Sequence, residues 1–345
     1  MQRLNVYSIT LLLIFVCLLT NLAEAGGFRK SGTAAAQFLK IGVGARALAL
    51  SGSFAAIADD ASALYWNPAG LATVENISWT GSYTKWFADI THQFSGLVVP
   101  VGNSSTLGFS ATFITMDEVE ITTETNPQGT GYFWDASDIA VGLSFARWMT
   151  DRFSLGATIK YVNQKIWNES ASTFAIDVGT YLDTQYKGII VGMCFSNFGG
   201  NLQLHGRDLI RAFDPNPNNS LNAQVDTRLH TQQWPLPVIF RVGVACEVVG
   251  QGDNIITSDK SNLIVAVDGN HCNDDREKLN CGIEYSWNKL ITLRAGYGFG
   301  YDTVDFTYGG GLQFNISNVH FQCDYAIAPY GELDTVHYIT IGLAL

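Results

Sequence analysis

The sequence predicts an all-β fold, a transmembrane antiparallel β-barrel of about fourteen strands. Three observations carry that expectation. Period-two alternation of apolar and small polar residues recurs from about residue 75 to the end. The polar positions hold mostly Gly, Ser and Thr, where a strand facing water would carry Lys, Glu and Asp. Connections mostly alternate between tight and long, as they do between the two rims of an outer-membrane barrel.

Composition agrees. The 345 residues are 47% hydrophobic but only 15% charged, with 34 glycines and 12% aromatics, whereas soluble domains carry about 25% charge. A net charge of -11 excludes a nucleic-acid partner, which would need Lys and Arg to displace counterions from phosphates.

Taken in order, the chain opens MQRLNVYSITLLLIFVCLLTNLAEA, with an apolar run from Ile9 to Leu19 and Ala23-Glu24-Ala25 as an A-x-A site. Residues 1–25 read as a signal peptide cleaved near Ala25, because the run is shorter than the roughly 20 residues of a membrane-spanning helix. Candidate strands follow near 76–85, 92–101, 105–122, 133–149, 153–168, 172–184, 188–198, 236–249, 261–271, 278–287, 290–300, 304–315, 318–328 and 335–345. In one of them Leu155, Ala157, Ile159 and Tyr161 alternate with Ser154, Gly156, Thr158 and Lys160. Short turns such as 102–104 and 150–152 oppose long loops at 123–132 and 199–235. The long 250–260 and the short 169–171 break the rule. Trp79, Trp86, Trp148, Trp167 and Trp287 fall near strand ends, where an interfacial girdle belongs.

Motifs for catalysis or cofactors are weak. Gly42-Val43-Gly44-Ala45-Arg46-Ala47 matches G-x-G-x-x-A, but no β-branched strand precedes it and no βαβ unit follows. The six histidines show no ligand spacing and no G-x-S-x-G elbow is present, so the chain reads as a non-enzyme with no metal and no cofactor. Five cysteines after the leader, irregularly spaced, are not a disulfide framework. Cys272 and Cys281 flank one turn, but alternation places them on opposite faces. The polar face carries Asp177, Arg241, Glu247, Glu284, Arg294 and Asp324. These read as lumen charges that pair and stiffen the interior, with a substrate path as the alternative.

The stretch from Gly44-Ala45-Arg46-Ala47 through Ala58-Asp59-Asp60 to Trp66-Asn67-Pro68-Ala69-Gly70-Leu71 closely resembles the N-terminal signature of the PorV/PorQ family of bacterial outer-membrane proteins. It is similar, more distantly, to the hatch of the FadL long-chain fatty acid transporters. Gly282-Ile283-Glu284-Tyr285-Ser286-Trp287, Leu293-Arg294-Ala295-Gly296-Tyr297 and the run from Asp324-Tyr325-Ala326 to Gly331-Glu332-Leu333 resemble the same family. The resemblance implies a fourteen-stranded barrel over 75–345 with residues 26–74 folded into its lumen as a hatch or plug. Arg46, Asp59, Asp60, Asn67, Pro68 and Gly70 form the hatch motif. On this reading Asp59 and Asp60 answer lumen cations such as Arg241 or Arg294, or bond to backbone amides, and Asn67-Pro68 fixes the turn into the first strand.

The function implied is protein secretion or surface attachment of the type IX kind. Its partners are outer-membrane lipid and either secreted cargo or secretion-system components. The alternative is a FadL-like channel for fatty acids or other hydrophobic small molecules. Leu202, Leu204, Leu209, Ile210 and Phe213 of the 199–235 loop could line either one.

Overall fold

Fourteen long strands pair in chain order and close into a ring. The computed structural model describes residues 31–214, 225–252, 254–317 and 319–345, so the leader expected over 1–25 lies outside the described residues. The strands are β1 Ser78–Lys85, β2 Thr91–Val101, β3 Ser105–Thr115, β4 Ala136–Thr150, β5 Phe153–Ile166, β6 Glu169–Asp183, β7 Ile189–Gly199, β8 Ile239–Gly250, β9 Ser261–Cys272, β10 Lys278–Trp287, β11 Ile291–Phe299, β12 Phe306–Ile316, β13 Val319–Pro329 and β14 Thr335–Ala344. Each pairs antiparallel with its neighbours, and β14 returns to β1 with Ser78 opposite Ala344. The closed ring leaves none of these long strands with a free edge, which a lipid environment requires because it offers backbone groups no hydrogen-bond partners.

The alternation is inverted relative to a water-soluble fold. Leu143, Ile159, Phe174 and Leu293 are 62%, 59%, 65% and 61% exposed, while their polar neighbours Ser144, Thr158, Thr292 and Arg294 are buried. Apolar side chains therefore face outward and polar ones inward, as a barrel in hydrocarbon needs. No helix among the described residues is long and apolar enough to cross a membrane.

Several strand boundaries depart from the sequence expectation by up to three residues, and two departures change the connections. The strand expected over 105–122 ends at Thr115, and the chain continues into a small separate hairpin, Val119–Glu120 against Phe133–Trp134. The strand expected from 172 begins at Glu169. Trp167 takes a positive φ of 52° and lets Ile166 pair directly with Glu169 across a two-residue turn. Trp79, Trp167 and Trp287 are exposed on the outer surface near the rims. Trp86 and Trp148 turn inward instead. Trp86 packs against Phe87, Tyr330 and Tyr338, and Trp148 donates from Nε1 to the Ala72 carbonyl. Trp148 shares the parity of buried Ser144 and Ala146, so the alternation itself sends it inside.

The two rims differ. Tight turns close one rim at 102–104, 151–152 and 288–290, although 251–260 on that side stays long. The other rim carries the longer connections, including 116–135 and 200–238. Of the latter, Leu202 is buried and bridges to Trp234, while Ile210–Phe213 pairs with Val225–Arg228 in an exposed hairpin.

Residues 34–74 lie against the inner faces of the strands. They form a 3-10 turn at Gln37–Lys40, short helices α1 Ala45–Ala49 and α2 Ala63–Trp66, and a 3-10 helix Pro68–Thr73 that leads toward β1. The largest buried apolar cluster is built mainly from this segment, with Val43, Leu50, Phe54, Ile57, Leu64, Trp66 and Leu71 at its centre.

Candidate functional site

The inner wall is fitted to the N-terminal segment glycine by glycine. A Cβ on Gly156 would lie 2.3 Å from the Pro68 carbonyl carbon, one on Gly192 2.1 Å from the Ala55 carbonyl oxygen, and one on Gly296 2.2 Å from the Leu50 carbonyl carbon. Backbone thus lies on backbone, which only glycine allows. Within the segment Gly70 has the same duty, since a Cβ there would meet the Ala58 carbonyl oxygen at 1.9 Å.

Polar groups of the wall then satisfy the segment's backbone. Thr340 Oγ1 accepts from Ala45 N at 2.8 Å, and Asp268 Oδ2 accepts from Phe54 N and Ala55 N at 2.9 and 2.8 Å. Ser154 Oγ donates to the Ala69 carbonyl. Asn67 is buried; its Nδ2 donates to the Ala55 and Thr180 carbonyls, and its Oδ1 accepts from Ala69 N. With Pro68 opening the next 3-10 helix, Asn67 caps that helix and holds it to β6.

A ladder of alternating charge fixes the middle of the segment. Arg46 on α1 donates through Nε and Nη2 to the two oxygens of Glu284 on β10, each at 2.9 Å. Its Nη1 reaches Asp59 and, at 3.1 Å, Asp60. Glu284 Oε2 also accepts from Arg294 Nε at 2.6 Å, and Arg294 Nη1 donates to Asp324 Oδ1 at 2.6 Å. Asp59 and Asp60 therefore pair with Arg46 of their own segment, not with the expected Arg241 or Arg294. The segment folds back on itself between Arg46 and Asp59, and the shorter loop wins. The alternative expected for these acids, a backbone amide, is met by Asp60, which accepts from Ser62 N at 2.8 Å.

The remaining lumen charges have separate partners. Asp177 pairs with Lys160 Nζ at 2.6 Å and accepts from Asn197 N. Glu247 accepts from Asn262 Nδ2 at 2.5 Å near the tight-turn rim. Arg241 donates to Ser196 Oγ at 3.2 Å and lies over the rings of Tyr65 and Trp66, 5.4 and 5.2 Å from their centroids. Among the described residues no carboxylate forms an ion pair with it.

At the long-loop rim, Lys40 Nζ and Gln37 Nε2 donate to Asp274, at 3.2 and 2.6 Å, and Cys272 Sγ lies 2.9 Å from it. Burial opposes ionisation of Asp274, but these donors and the Lys40 charge outweigh it and hold the carboxyl below the usual carboxylate range. Between the segment and β8–β13 a cavity of about 350 Å³ remains, open at this rim and walled by Trp66, Trp86, Tyr301, Tyr330 and Arg241.

Sequence reasoning put Lys160 on the polar face without singling it out as a lumen charge, and missed Asp268 and Asp274. The signal for Asp268 is a lone acid at an inward position directly after the apolar run Leu263-Ile264-Val265-Ala266-Val267. Lys160 stands on the polar face of β5 in the same way. Asp274 lies in a turn and gives no periodic signal.

A family model described as type IX secretion system protein PorV matches residues 26–205. The chain belongs to the PorV family. The match covers the N-terminal segment and the strands β1 to β7, while the wall partners Asp268, Glu284, Gly296 and Thr340 lie beyond it. No curated protein matches the chain in sequence. Solved structures share the PorV-family chain's fold: the Pseudomonas putida toluene transporter TodX at 11% identity and TM-score 0.55, and the Ralstonia pickettii toluene transporter TbuX at 13% and 0.55, each covering 88% of this chain and 97% of that one. A Pseudomonas aeruginosa FadL homologue aligns at 12% identity and TM-score 0.52 over 88% of this chain and 98% of its own. This PorV-family protein is thus an outer-membrane β-barrel of the FadL-like architecture.

Proposed function

We propose that the protein serves type IX secretion by receiving exported protein at its long-loop rim, with residues 26–74 acting as a hatch that keeps the lumen shut. The observation that carries this reading is the PorV-family match together with the Arg46–Glu284 clamp, which ties the signature segment to the wall. A barrel sealed in this way can stay in the membrane without leaking while its loops handle a partner. The exposed side chains of Tyr132, Phe133, Ile210 and Phe213 on the two rim hairpins offer the apolar contacts that interfaces favour. Export follows a leader over residues 1–25.

Native mass spectrometry of the protein gently extracted from its own outer membrane tests the reading. A co-extracted exported protein or secretion-system component is the expected result. A bound fatty acid or aromatic hydrocarbon with no protein partner would overturn it in favour of a hydrophobe channel, the reading that the aromatic cavity at the same rim favours.

A further inference from the structure

Residues 34–74 run the height of the lumen, and their N-terminal end lies at the rim opposite to the one where they join the barrel. At the long-loop rim Ala35 N donates to the Pro235 carbonyl, Ala36 N to Gln164 Oε1 and Gln37 Nε2 to Asp274. Ser31, Gly32 and Thr33 before them are exposed. At the tight-turn rim Trp148 of β4 holds the Ala72 carbonyl, and the chain enters β1 at Ser78. Tight turns of such a barrel face the periplasm, the side from which it inserts, so the N-terminal end has to reach the far side.

The segment binds the strands out of chain order. Its first half lies on later strands: Ala45 N donates to Thr340 on β14, Arg46 to Glu284 on β10, Ser51 N to Thr307 on β12 and Phe54 N to Asp268 on β9. Its second half lies on earlier ones: Leu64 fills the space above Gly96 of β2 and Gly108 of β3, Ala69 accepts from Ser154 of β5, and Asn67 donates to Thr180 of β6. The seam of the ring is tied to it as well. Ser82 of β1 and Thr340 of β14 are direct partners across the closure and both are buried. Thr340 Oγ1 donates to Ser82 Oγ at 3.2 Å, and the same oxygen accepts from Ala45 N at 2.8 Å.

We infer that the segment has a second duty, as the core on which the barrel closes. It docks on the inner faces while β1 and β14 are still apart, and their joining traps it with its N-terminal end at the long-loop rim. Entry into a finished ring fails on two counts. The N-terminal end would have to travel roughly 25 Å through the lumen. The wall also offers no clearance on the way, because Gly156, Gly192 and Gly296 meet the segment backbone to backbone, and a close-packed interior does not stretch to let Phe38 or Arg46 pass. The inference does not depend on the secretion reading, since it concerns how the lumen comes to be filled.

The test refolds the chain from Gly26 onward out of urea into detergent micelles, with and without a domain that stays folded in urea fused ahead of Gly26 through a flexible linker. Heat-modifiable gel migration reports closure of the ring, and thermolysin protection of residues 31–60 reports docking of the segment. The fused chain should close to within twofold of the parent's yield with its segment protected, because the ring forms around the segment and leaves the domain outside. A fused chain that closes with its segment digestible would overturn the inference, since the N-terminal end then has to thread a finished ring. Thr340→Val reads the order independently, because it takes the acceptor from Ala45 N and keeps nearly the same shape. It should slow closure at least fivefold, and by a larger factor than it speeds opening in urea, the pattern of a contact already made in the transition state. Ser82→Ala breaks the seam bond but leaves Ala45 its acceptor, and should slow closure less than twofold. Closure slowed less than fivefold by Thr340→Val, or slowed equally by both variants, would overturn the inference. These two variants decide the order where the fused chain does not close at all.

Discussion

Arg46 grips Glu284 with two parallel hydrogen bonds, Nε to Oε2 and Nη2 to Oε1, both 2.9 Å long. This fork is the strongest geometry a guanidinium and a carboxylate can adopt, and it joins an N-terminal helix to the inside of β10. Removing one partner leaves buried charge without its match, which costs about 3–5 kcal/mol. Glu284→Gln should therefore loosen the segment, since Arg46 and Arg294 both lose a carboxylate. Limited thermolysin digestion should cut within residues 31–60 in the variant and not in the parent, while the barrel keeps its heat-modifiable migration in detergent gels. A segment equally protected in both would show that the clamp does not hold it.

The glycine contacts give a second prediction. Gly156→Ala places a methyl 2.3 Å from the Pro68 carbonyl carbon, whereas a Cβ on outward-facing Gly269 finds nothing closer than 4.0 Å. Overpacking of this kind costs about 1–3 kcal/mol. Gly156→Ala should lower the thermal midpoint and free the segment, and Gly269→Ala should leave both unchanged. Differential scanning calorimetry of the two variants in one detergent compares them directly.

Much of the barrel was legible because lipid enforces period two along most of each strand, broken only locally by register shifts such as those at Trp148/Thr150 and Ile176/Val178. Leu155, Ile159 and Tyr161 face out and Ser154, Thr158 and Lys160 face in, as their alternation demands. The glycines of the polar face were visible too, although what fills the space above Gly192 is not. The partners of Asp59 and Asp60 were not legible, since whether an acid meets Arg46 or Arg241 depends on where an irregular segment doubles back. Trp148 was read from its place at a strand end, where its parity should have decided. The start of β6 was hidden by a turn whose positive φ falls on Trp167, a residue with no turn preference.

The lipid-facing band yields a third prediction. Leu143 stands midway along β4 and is 62% exposed, while its neighbour Ser144 is buried against Thr158, with 2.7 Å between their hydroxyls. An arginine at the midplane of a barrel costs about 2–4 kcal/mol. Leu143→Arg should thus reduce the yield of folding into phospholipid vesicles by a corresponding factor. Phe213→Arg, on the rim hairpin outside the band, should fold as the parent does. Equal yields for both variants would place Leu143 outside the hydrocarbon.

Acid should release the outer end of the segment through Asp274. Its carboxyl is held below the ordinary carboxylate range in the folded chain against the cost of its burial, by the Cys272 thiol of β9 and by Gln37 and Lys40 of the segment. A depressed folded value means that the stabilisation is fully present above the unfolded pKa of about 3.9 and is lost as pH falls through the folded value. Protection of the 36–41 amides from hydrogen exchange, corrected for the intrinsic rate, should therefore be constant from neutral pH down to about pH 4 and fall below it. Asp274→Asn should start from lower protection and show no such acid step. An acid step of the same size in Asp274→Asn would assign it to another carboxylate and leave the Lys40 contact without a part in holding the segment.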